Sequence, residues 1–157
     1  MSDQGFFLTV AGIGMSFAGF AGLLNAFRGV AGWDPLLLYQ LRVIVAYAVA
    51  TLFAALSTVP VAGLIGQRDA VTAIASTMTV LSFVLGIWAM RGDLRMTHGT
   101  AVRTPVRAGF ALLTILAAVA AISAALTGAV PLFQAALLLW LANPAANFVY
   151  VISRIDR

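Results

Sequence analysis

The sequence predicts an all-α fold: a polytopic transmembrane helical bundle of five spans, with its N-terminus outside and its C-terminus inside. Three observations predict it. Of 157 residues, 62% are hydrophobic and only 9% are charged, with a mean hydropathy of +1.04. A soluble domain carries about 25% charge, so this chain has too little to cover a wetted surface. The apolar residues come in long unbroken runs of about 20, enough to cross a bilayer as helix, whereas a transmembrane barrel shows alternating strands of about 10. Proline, glycine and aspartate punctuate the runs where helices start and stop. The reading is a single transmembrane domain over residues 1–157, with spans at about 5–27, 35–66, 70–90, 105–127 and 131–152 and a cytoplasmic loop at 91–104.

The first span sorts its residues by size. Ile13, Phe17, Phe20, Leu24 and Phe27 recur at helical spacing and form one bulky stripe. Small residues flank it, Ala11, Gly14, Ala18, Ala21 and Asn25 on one side and Gly12, Ser16 and Gly19 on the other. Helices in lipid associate through close backbone approach, which small side chains permit. Gly12, Gly14, Ala18, Gly19 and Gly22 are therefore the expected packing residues, and this helix is expected to be the one the others pack around. The opening Met1-Ser-Asp-Gln-Gly5 lacks the positive region of a signal peptide, so the first span is expected to remain.

The second span opens at Asp34-Pro35, a cap followed by proline at the first helical position. It is longer than a bilayer needs. Its first turns, with Tyr39, Gln40 and Arg42, are expected in the headgroup layer, and Pro60 is expected to kink its far end. Gln67-Arg68-Asp69 reads as a tight turn with Asp69 capping the third span. Thr104-Pro105 repeats the cap-then-proline signal for the fourth, alanine-rich span, and Gly128-Ala-Val-Pro131 turns into the fifth.

Arginine fixes the orientation. With the 91–107 segment in the cytoplasm, eight of the nine arginines lie inside and only Arg68 lies outside. The net charge of +4 thus reports topology, not a nucleic-acid partner. The basic loop is expected to meet anionic lipid headgroups at the cytoplasmic face.

At Ser16-Phe-Ala-Gly-Phe-Ala-Gly-Leu23, Arg28, Gly32-Trp-Asp-Pro35 and Leu41-Arg42, the N-terminal third resembles a group of small bacterial integral membrane proteins. They share a glycine-rich first span, a Trp-x-Pro turn and a Leu-Arg. The resemblance covers about residues 9–45 and implies a bacterial inner-membrane protein of no stated activity.

The fifth span carries the candidate site. Trp140, Asn143, Asn147 and Tyr150 fall on one helical stripe, with Pro144 beside it. Proline removes the donor to the carbonyl four residues earlier, that of Trp140, which must find another partner. Two carboxamides beside a freed carbonyl suit a polar ligand or ordered water. The structural alternative is interhelical hydrogen bonding, worth about 0.6 kcal/mol on average in bilayers. Asn25 and Arg42 sit at comparable depth and are candidates for the same polar cluster. On the third span Thr72, Ser76, Thr79 and Ser82 form a hydroxyl stripe, which lines a path or bonds back to its own helix.

The absences narrow the chemistry. There is no cysteine, and the single histidine, His98, lies in a loop with only Asp93 nearby, so no metal or cofactor site is expected. No Asp, Glu, His or Lys falls within a hydrocarbon span, which argues against an enzyme or a proton-coupled transporter. Three functions remain. One is a non-catalytic accessory, assembly or oligomer-forming subunit, acting by helix packing with itself or a membrane partner. The others are an oligomeric channel for a small solute or ion, and an inner-leaflet binder of a lipid or apolar ligand.

Overall fold

Each apolar run becomes one continuous helix, because a helix satisfies all its backbone groups within the segment. The computed structural model describes residues 3–27, 35–96 and 104–155. They form α1 (Asp3–Phe27), α2 (Pro35–Ile65), α3 (Gln67–Met96), α4 (Thr104–Thr127) and α5 (Val130–Ile155), with no strand among the described residues. All five are long and apolar enough to cross a membrane. Expectations that fall on Arg28, Trp33, Asp34 and His98, and on the side chains of Asn25, Asp93 and Arg154, lie outside the described residues.

Two glycines make the tight turns. Gly66 alone joins α2 to α3 with φ of +91°, and Gly128 follows α4 with φ of +65°. Both donate their N–H to the carbonyl four residues back, Gly66 to Ala62 at 3.0 Å and Gly128 to Ala124 at 2.8 Å. This left-handed ending is open to glycine at no steric cost. The turn is therefore at Gly66, and Gln67–Asp69 is already the first turn of α3, so Asp69 does not cap it from outside.

The other end of α3 also departs from the sequence reading. The helix runs past Met90 to Met96, taking in part of the expected loop. Hydropathy marks where hydrocarbon ends, and Arg91 and Arg95 are good helix formers that carry the helix beyond it. Tyr39 is buried against this extension. Its ring packs over Gly92, and its hydroxyl donates to the carbonyls of Trp88 and Ala89 at 3.1 and 2.9 Å. Tyr39 and Gln40 thus face the bundle, and only Arg42 of that group is exposed. Pro60 lies on the exposed side of α2, which continues unbroken to Ile65.

The bundle is organised around α2 and α5. Helix α2 packs on α1, α3 and α5, while α5 packs on α4 and α2 and touches α1 and α3 more lightly. Helix α1 is peripheral, which corrects its expected central place. Only one of its small flanks is covered: Ala11, Gly14 and Ala21 are buried against the bundle, and a Cβ on Gly14 would stand 2.9 Å from the Ala48 carbonyl oxygen. Gly12, Ser16, Gly19 and Gly22 are exposed, with open space where a Cβ would stand on each glycine. Part of the bulky stripe finds a partner, with Phe17 and Phe20 ring-to-edge on Phe148 of α5 at 6.0 and 5.0 Å, while Ile13 and Phe20 stay exposed.

A polar clasp closes one end. Asp3 accepts from Gln67 at 2.9 Å and from Gln134 at 3.0 Å, tying the starts of α1, α3 and α5 together. The main core lies beneath it, built on Phe7, Met78, Phe133, Leu137 and Trp140.

Candidate functional site

The stripe on α5 faces inward. Trp140, Asn143 and Asn147 are 0%, 4% and 5% exposed, so two carboxamides are held out of contact with the bundle's surroundings. Such groups are retained only where hydrogen bonds compensate their burial. The Trp140 indole N–H donates to Ser82 Oγ at 2.8 Å, and Ser82 in turn donates to the Met78 carbonyl at 2.8 Å. The one proton of Ser82 is thereby used, so this third-span hydroxyl meets the Trp140 ring and not its carbonyl. Asn143 Nδ2 donates to Thr114 Oγ1 at 3.0 Å, and Thr114 donates to the Phe110 carbonyl at 2.9 Å. Asn147 Nδ2 donates to both oxygens of Asn143, Oδ1 at 2.9 Å and the carbonyl at 3.1 Å. The result is one connected network across α3, α4 and α5.

Beside the network lies a groove of about 680 Å³. Asn143 and Asn147 form its floor together with Tyr47 of α2 and Ser82 of α3, all four of them buried. Its walls are apolar: Phe83, Ile87 and Met90 on α3, and Phe110, Ala111 and Ile115 on α4. Of these wall residues, Phe83, Ile87, Met90, Ala111 and Ile115 are exposed, so the groove opens sideways between α3 and α4 onto the apolar outside of the bundle. Midway along the lining the two helices come together where Gly86 meets Thr114, with a Cβ on Gly86 falling 3.3 Å from the threonine methyl.

The remaining expected members are placed elsewhere or only nearby. Arg42 is exposed on the outer face of α2 and does not join the carboxamides, because its helical phase is that of Phe53 and Pro60. Tyr150 is half-buried one turn beyond Asn147 and is not part of the groove lining. The hydroxyl stripe of α3 is bonded to its own helix: Ser76 donates to Thr72, Thr79 to Ala75 and Ser82 to Met78, each four residues back. Of the stripe, only Ser82 and the following Gly86 reach the groove.

Two polar residues emerge that the sequence reading did not single out. Tyr47 is 2% exposed, meets Trp140 edge-on at 6.0 Å and lies beside the Thr114 side chain. A mid-span tyrosine, like the mid-span Trp140, was the available signal. Thr114 is the second; as one of several hydroxyls on an alanine-rich helix it offered none. Gln40, expected in the headgroup layer, is instead buried at 6% exposure, and its Oε1 has no hydrogen-bond partner among the described residues. Those residues also hold no cluster of metal-binding side chains.

The chain matches no protein-family model, and no characterised protein or solved structure is significantly similar to it.

Proposed function

We propose that this chain is a multi-pass membrane protein that takes a lipid or other apolar ligand from the bilayer into the groove between α3 and α4. One observation carries the reading: an apolar-walled groove that opens sideways and ends on buried, hydrogen-bonding residues. Ligand sites of this kind are mostly apolar, of 300–1,000 Å³, with a few placed polar groups. A lateral mouth admits molecules dissolved in hydrocarbon without passage through water. With the N-terminus outside, as the arginine distribution argues, the groove lies in the inner leaflet. The resemblance of residues 9–45 to small bacterial membrane proteins supports a bacterial inner-membrane location.

The test is to fill the groove without disturbing the core. Ala111 is exposed on its wall, so Ala111→Phe adds bulk to the groove and to little else. The wild-type protein in bilayer discs should retain a defined lipid or apolar molecule through purification, seen by native mass spectrometry. Ala111→Phe should lose it with an unchanged melting temperature. Equal retention by both proteins would remove the groove as the site.

A second reading, an accessory or oligomer-forming subunit, is favoured by the uncovered face of α1. Gly12, Ser16 and Gly19 lie exposed at the spacing by which helices approach closely in lipid. A defined oligomer or stoichiometric membrane partner in bilayer discs would support it, and a monomer would not.

A further inference from the structure

The hydrogen bonds at the groove floor are incomplete, and what they leave open describes the head of a ligand. Among the described residues, none lining the groove is charged. A charged headgroup would lose its hydration there and gain no counter-charge, a cost of several kcal/mol per ion. The described lining therefore suits a neutral head.

Apart from the Tyr47 hydroxyl, most protons of the floor are assigned. Ser82 gives its proton to Met78, and Thr114 gives its proton to Phe110. Asn147 directs Nδ2 at the two oxygens of Asn143. Its own Oδ1 accepts no hydrogen bond among the described residues, although the residue is only 5% exposed and lines the groove. Asn143 donates to Thr114 alone, which leaves its second amide proton. Beside the Tyr47 hydroxyl, the floor thus offers one acceptor and one donor on adjacent turns of α5. A ligand carbonyl could use only the donor and would leave the Asn147 oxygen unpaired, which is costly in a dry site. A hydroxyl uses both.

We propose that the groove is built for a neutral lipid with a free hydroxyl, of the long-chain alcohol or acylglycerol kind. Its O–H donates to Asn147 Oδ1, its oxygen accepts from Asn143 Nδ2, and its chain lies along Phe83, Ile87 and Ile115 toward the mouth. This rests on the reading of the groove as a ligand site.

Three probes with the same chain separate the two claims: 1-hexadecanol, hexadecyl methyl ether and palmitate, each titrated into the full-length protein in bilayer discs. Hexadecanol should bind, and the ether, which has lost only the donor, should bind at least about tenfold more weakly, equivalent to about 1.4 kcal/mol. Palmitate should bind more weakly still. Asn147→Leu should bring the alcohol and the ether within about twofold of each other. The wild-type ratio decides the question even if that variant does not fold. Ether or palmitate binding as tightly as the alcohol, with Ala111→Phe blocking all three, overturns the hydroxyl assignment and leaves the groove standing. Failure of all three probes to bind the wild type overturns both.

Discussion

Asn143 is where packing and ligand binding make different demands on one side chain. It receives Asn147, donates to Thr114 and lines the groove at the same time. Asn143→Leu keeps the volume and removes the polar atoms. Thr114 retains its bond to Phe110, and Asn147 retains the Asn143 backbone carbonyl, so little is left unsatisfied. Stability should fall by about 1 kcal/mol or less, the interhelical scale, while ligand retention disappears. A loss of about 3 kcal/mol in denaturation, with retention intact, would make the network purely structural. The α5 stripe was legible because Trp140, Asn143 and Asn147 share a helical phase, which spacing alone reveals. Tyr47 was marked only by its mid-span position and Thr114 by nothing, because they reach the stripe from other helices and no local period records that. Arg42 misled for the converse reason: similar depth along the chain said nothing about which way its helix faced.

Helix α1 shows how far an element can be judged by its own composition. Its two small flanks are nearly equivalent in sequence, yet one is filled by α2 and the other is open. Which flank is used depends on the neighbours, and these are not written in α1. The two flanks should therefore respond oppositely to the same change. Gly14→Leu drives a side chain against the Ala48 carbonyl and Leu52, and it should destabilise the fold by about 1–3 kcal/mol. Gly19→Leu meets open space and should leave the melting temperature unchanged, while weakening any oligomer formed through that face. Equal destabilisation by both would mean that the open flank is covered. Helix ends divide in the same way. The starts of α2, α4 and α5 follow their prolines to within a residue or so, because proline's fixed φ acts locally. The end of α3 does not, because Tyr39 packing on Gly92 supports it from another helix.

At the scale of the molecule, the five-helix architecture was legible from hydropathy alone, since the need to satisfy backbone groups in hydrocarbon leaves few other solutions. The groove was not, because a gap between α3 and α4 is a property of their spacing and not of either sequence. Orientation is testable in a chain without cysteine. Single cysteines at His98 and Ser153 should label from the same face, and one at Ser2 from the opposite face. Labelling of His98 and Ser153 from opposite faces would break the five-span reading. The clasp and the glycine turns carry a mechanical consequence. Asp3, Gln67, Gln134, Gly66 and Gly128 gather at one end, and Arg68 lies against Gly128 there. The groove lies far along the α2–α3 and α4–α5 hairpins from that end, with Ser82–Met90 roughly 24–36 Å from Gly66 at 1.5 Å per residue. The hairpins are joined again where α2 packs on α5, where Trp140 bonds Ser82 and where Gly86 meets Thr114, so the wall helices α3 and α4 can part only beyond those contacts. Spin labels at Met90 and Ala111 should therefore show a broad distance distribution that narrows when ligand binds. A pair at Ala73 and Leu126, near the clasp, should stay narrow throughout, and equal breadth in both pairs would rule out a local parting of the walls.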